Sequence, residues 1–180
     1  MINDFCIKFK INKQHLQGLK KLNSGKDLDS DPFIDGFFEL TVGTCKIGYI
    51  LNGNIPSDVC GGENILHWFE LMAESYQLLK TEKPVYMTVL ESYNQYIKYE
   101  RSLDNIKITV LTSENKKIKK YVDVINFSED SKEEQTISIK EKDFLDTLKA
   151  AYIEFRNIIL EQNRLVSDSK ILNTCSAILG

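Results

Sequence analysis

Between Pro84 and Phe127 the chain alternates apolar and polar residues, and two segments with one shared helical apolar spacing bracket this stretch. Val85-Met87-Val89, Tyr93 to Tyr99, Ile106-Ile108-Val110 and Ile118 to Phe127 are separated by Ser92, Asp104-Asn105 and Glu114-Asn115. Each run predicts a half-buried strand. Connections this short predict antiparallel neighbours, because parallel strands need a crossover of about a dozen residues. The expected topology is a meander, with Ile137 and Ile139 adding a short strand.

The first flanking segment, Glu63 to Leu79, places Ile65, Leu66, Phe69, Met72, Ala73, Tyr76 and Leu79 on one side of a helix. The second, Lys140 to Gln162, repeats the pattern with Phe144, Leu145, Leu148, Ala151, Tyr152, Phe155, Ile158 and Ile159. Ser138 and Glu141 fit a capping box at its start. Upstream, Phe5, Ile7, Phe9 and Ile11 alternate as a strand, Leu16 to Leu22 form a helical turn, and Phe38 to Leu51 form a hairpin around Gly43-Thr44. Ile171, Leu172, Cys175 and Ile178 predict a final helix. An antiparallel sheet must bury its apolar face. The expected fold is therefore α+β, an antiparallel meander sheet packed on one side by the two long amphipathic helices, in a single domain spanning 1–180.

Composition agrees with a folded chain: 180 residues, 42% hydrophobic and 27% charged, with three prolines. A net charge of -3 argues against nucleic acid and anionic membranes as partners, since those surfaces need a positive field. No window approaches the roughly 18 apolar residues of a membrane span, and no cationic leader opens the chain. The four cysteines, Cys6, Cys45, Cys60 and Cys175, lie far apart with no CxxC pair, which predicts reduced, structural thiols and a cytoplasmic protein.

The chemistry-bearing candidates are few. On the first long helix Glu63, His67, Glu70 and Glu74 recur at helical spacing opposite the core stripe, as a solvated acidic face or a divalent-metal face. Trp68, Leu71 and Leu78 form an extra apolar stripe beside the core side, as deep packing or as a partner-binding edge with an aromatic anchor. The loop Asp27 to Pro32 starts like a calcium-binding EF loop, but Pro32 takes the sixth place and Phe38 the twelfth, so a solvated acidic loop containing Asp29 and Asp31, followed by Asp35, is expected. Asn115 to Lys120 is a basic turn, and Tyr93, Tyr96 and Tyr99 are strand aromatics that would have to share a face to stack bases. No nucleophile elbow, phosphate loop, zinc-protease motif or dinucleotide fingerprint occurs, so neither a catalytic residue nor a metal or other cofactor is assigned.

The order of elements, with the junction Ile137-Ser138-Ile139-Lys140-Glu141-Lys142-Asp143-Phe144-Leu145 running into a long helix, resembles that of bacterial immunity proteins of polymorphic or contact-dependent toxin systems. The resemblance spans most of the chain in layout and that junction alone in residues. It implies a cytoplasmic protein that binds one cognate toxin and neutralises it. The residues themselves point to a partner-binding surface of Trp68, Leu71, Glu63, His67, Glu70 and Glu74, with Asp29, Asp31 and Asp35, suited to a basic protein. Two alternatives stand beside it: a homo-oligomeric structural or assembly protein such as a homodimer, and a small carboxylate- or metal-dependent hydrolase using Glu63, His67 and Glu70 with Asp35 or Glu39.

Overall fold

The computed structural model describes residues 4–51, 62–82, 84–90, 92–114, 120–124 and 131–179. The described residues form an α+β fold with two antiparallel sheets and helices packed against them. The first sheet joins β1 (Phe5–Ile11), β2 (Asp35–Val42), β3 (Cys45–Gly48) and β4 (Glu63–Asn64), with β2 in the middle. β1 runs antiparallel to β2 from Phe5 opposite Val42 to Ile11 opposite Gly36. Gly43 opens the β2–β3 turn at φ +60, a left-handed conformation that glycine adopts without a Cβ penalty.

The second sheet has the order β8 (Val122–Asp123), β5 (Val85–Thr88), β6 (Gln95–Ser102), β7 (Asn105–Ser113), β9 (Ser131–Lys140). β5, β6 and β7 follow the expected meander. The fourth place does not fall to the run after Ile118: Val122 and Asp123 return to pair with β5, and β9 fills the edge beside β7. The N-terminal strands, which alternation alone cannot assign to a sheet, form a sheet of their own.

Helices α1 (Lys13–Leu19), α2 (Gly25–Ser30), α3 (Ile65–Leu79), α4 (Glu141–Gln162) and α5 (Lys170–Leu179) complete the fold. α3 begins at Ile65 because Asn64 accepts the His67 amide as its N-cap while Glu63 and Asn64 are held in pairing with Gly36 and Asp35. The expected capping box at α4 does not form. β9 runs through Ser138 to Lys140, and the Glu141 carboxylate turns instead to Arg101 Nη2 at 2.7 Å and Tyr76 Oη at 3.5 Å.

One continuous hydrophobic cluster draws on both sheets and all five helices. Aromatic rings stitch it together: Phe9 meets Phe69 and Phe155 edge-on, Phe69 lies 4.9 Å from Phe155, and Phe5 lies 5.0 Å from Phe144. Such pairs add about 0.5–1.5 kcal/mol each beyond the area they bury. The far face of the second sheet carries a smaller cluster of Tyr86, Tyr96 and Leu111. No helix of the described residues is long and apolar enough to cross a membrane.

Candidate functional site

The expected partner-binding edge on α3 is half dismantled by the structure. Trp68 has no exposed surface: its ring stacks on Phe38 at 4.6 Å, and its Nε1–H donates to Glu63 Oε2 at 2.8 Å. Leu71 is buried as well. Both are therefore core residues, and neither is available as a partner anchor. The cause is the depth of α3, which is packed by the first sheet, the second sheet and α5, so its apolar arc is wider than a two-sided helix would need.

Glu63 is corrected in the same way. It precedes the helix, sits in β4, and is 7% exposed, so helical spacing from His67 does not apply to it. A buried carboxylate needs donors to offset lost hydration, and the Trp68 indole supplies one. Asp35 is likewise buried in β2 and accepts the Gly62 amide at 3.0 Å. Asp31 remains exposed, with its charge acting on His15 across the loop.

Most of the expected acidic loop is helical. Gly25 to Ser30 form the short helix α2, and Asp29 reaches across about 140 positions of sequence to the start of α5. Its carboxylate accepts the Ser169 hydroxyl at 2.6 Å, the Lys170 amide at 2.8 Å and the Ile171 amide at 3.2 Å. Asp168 answers by accepting the Gly25 amide at 2.7 Å, so each helix is capped from the other's neighbourhood. Desolvation raises the Asp29 carboxyl, but the Ser169, Lys170 and Ile171 donors and the Lys170 charge outweigh it and hold it below its ordinary range. Asp29 is thus a structural anchor, not a partner contact.

What survives is the outward strip of α3. His67 Nδ1 lies 3.4 Å from Glu70 Oε2, and its ring meets Tyr121 edge-on at 5.0 Å. Glu70 is half-buried and Glu74 exposed, and both line a groove of about 320 Å³ between α3 and α5. Leu78, Ile171 and Ile178 supply its apolar floor, with Cys175 beneath. Burial, with the Glu70 charge adding to it, pushes the Cys175 thiol up to about 12, so this sulfur is neither nucleophile nor ready metal ligand. Ile171 and Ile178 pack against the core, as expected of a closing helix, but sequence reasoning did not see that their half-buried flanks also line a groove. The available signal was their spacing of seven, which sets them one above the other on one flank. Of the extra stripe on α3, Leu78 alone reaches this groove.

A second concavity of about 120 Å³ lies on the other flank of α5, lined by Lys149, Tyr152, Ile153, Arg156, Asn157, Ser176 and Leu179. The Arg156 Nε is buried without a hydrogen-bond partner among the described residues. Tyr152 closes the inner wall, donating to Leu172 O at 2.5 Å.

The other candidates separate. Tyr96 and Tyr99 are buried on opposite faces of β6, and Tyr93 is 82% exposed, so no three-ring platform forms. Of the basic turn, Lys120 alone is among the described residues, and Cys60 also lies outside them. Cys6 and Cys45 are free thiols on β1 and β3, half-buried as expected for small strand residues. The hydrolase constellation is not assembled: Glu63 faces Trp68, Glu39 lies 3.8 Å from Lys8 and 3.2 Å from Lys46, and Glu70 faces the groove. No group of three His, Cys, Asp or Glu among the described residues is placed to hold a metal ion. Comparison with protein-family models, curated proteins and solved structures finds no match to this chain.

Proposed function

We propose that this chain is a non-catalytic protein-binding protein whose recognition surface is the groove between α3 and α5. The observation that carries this reading is an acidic rim, Glu70 and Glu74, set over an apolar floor of Leu78, Ile171 and Ile178. A partner segment with one or two apolar side chains flanked by Lys or Arg complements both features. Burial of the anchor supplies affinity, and the charges supply register and association rate.

Within this class the specific proposal is an immunity protein that binds a cognate toxin in the cytoplasm. It is supported by the acidic docking rim and by the resemblance in layout noted above. The protein encoded beside this chain should co-purify with it at one-to-one stoichiometry, and co-expression should restore growth to cells producing that protein. The double charge reversal Glu70→Lys, Glu74→Lys should weaken the complex at least about tenfold while leaving the fold intact. An unchanged affinity in that variant refutes the assignment of the groove. Absence of both a neighbouring toxin gene and a neighbouring protein partner refutes the immunity role.

A further inference from the structure

The two concavities flanking α5 have opposite character. On the α3 side the rim is Glu70 and Glu74; on the α4 side the cationic groups are Lys149 and Arg156. Between them α5 presents Asn173, Thr174 and Ala177, small uncharged side chains that are all exposed. Lys170, at the start of the same ridge, is exposed, and its charge acts on the Asp29 carboxylate that accepts its backbone amide. A two-fold axis running along α5 lays α3 of one molecule over α4 of the other, so that acid meets base twice while the small ridge permits close approach. A two-fold axis across α5 would instead set acid on acid, so the charge pattern selects the first arrangement.

Resting on the assignment of this face as a docking surface, we propose that one occupant of it is a second copy of this chain, in a two-fold dimer with Glu70 and Glu74 of each protomer facing Lys149 and Arg156 of the other. The ridge is short, since ten helical residues span about 15 Å, so the interface lies at the small end of specific contacts. Dissociation constants on the order of 0.1 mM are expected at that size. Self-association and capture of a different partner then compete for one surface, so each weakens the other by mass action.

Sedimentation equilibrium with light scattering, from about 10 µM to about 1 mM protein, reads the dimer directly. Wild type should shift from monomer to dimer across that range. Glu74→Arg and Arg156→Glu should each weaken dimerisation at least about tenfold, and the two together should restore it, because the charges are exchanged rather than lost. Ala177→Arg, at an exposed position that the fold does not use, should block it sterically. A wild type that stays monomeric throughout, a dimer indifferent to Ala177→Arg, or a double variant no better than the singles overturns the proposal. A monomeric chain that still binds its neighbour's product in a Glu70- and Glu74-dependent way overturns the dimer and leaves the docking surface standing.

Discussion

Replacing Asp29 by alanine tests the largest difference between the sequence expectation and the structure. If Asp29 belonged to a solvated loop, its removal would change stability by less than about 0.5 kcal/mol. The structure instead has it accepting three hydrogen bonds at the α2–α5 junction. Loss of a helix cap costs about 0.5–2 kcal/mol. The Ser169 hydroxyl has no exposed surface, and leaving it without its acceptor adds about 1–3 kcal/mol. The Lys170 amide is near solvent and recovers water, so the sum settles near about 2–3 kcal/mol. For a chain of this size that is a fall in Tm of about 5–10 °C.

The same carboxylate gives the effect a pH signature. Its folded value lies below the ordinary 3.8, so its contribution is complete above that value and is lost as pH falls through 3.8 toward the lower folded value. Urea unfolding of wild type and Asp29→Ala should therefore show a constant gap from neutrality to about pH 5, narrowing by about pH 3. Comparing the two proteins at each pH cancels the titration of the other carboxylates. The opposite side of the junction supplies a second variant: a Cβ on Gly25 would overlap the Ser169 amide nitrogen and the Asp168 carboxylate. Gly25→Ala should cost about 1–3 kcal/mol, and the two changes together less than their sum, because they release one joint. A gap below about 0.5 kcal/mol for Asp29→Ala, or one that persists unchanged to pH 3, refutes the cap.

Two further predictions follow from the core and from a strained turn. Trp68→Phe keeps most of the apolar packing but removes the donor to the buried Glu63, so chemical denaturation should show a loss of about 2–3 kcal/mol that Glu63→Gln partly relieves in the double variant. Leu103 stands 91% exposed at φ +52 in the β6–β7 turn, where a leucine side chain is strained and contributes no burial. Leu103→Gly should therefore raise stability by about 1 kcal/mol, read as an increase of about 2–4 °C in Tm.

The parts legible from sequence are those whose partners are local or whose periodicity is strong. The Gly43-Thr44 hairpin and the stripes of α3 and α4 could be placed because turn geometry and a wide apolar arc leave a mark on consecutive residues. β9 left a weak mark because only one of its faces is covered: Ser131 to Gln135 contribute charged and polar side chains, and alternation begins only at Ile137 and Ile139. The helix α2 was invisible for a different reason. Its six residues are mostly polar, and the groups that stabilise its position lie at Asp168 and Ser169, far along the chain. Trp68 carried two readings from sequence, and the choice between them depended on whether a third layer covered that flank of α3, a question of tertiary packing that no local pattern contains.

The acidic residues show how the two levels must be combined. Sequence grouped them by spacing and charge, yet a carboxylate whose acceptor capacity is filled by the chain's own donors has little left for a partner. Asp29 is filled by the start of α5, Asp35 accepts the Gly62 amide, Glu39 faces Lys8 and Lys46, Glu63 takes the Trp68 indole, and Glu141 takes Arg101. Among the described residues Glu70 has one hydrogen-bond partner, His67 at a long 3.4 Å, and Glu74 makes no ion pair or hydrogen bond. Both also line the groove over the half-buried Leu78, Ile171 and Ile178. Charge reversal at Glu74 consequently perturbs docking without touching an internal bond, whereas a change at Trp68 or Glu63 would report on folding, whatever partner was added.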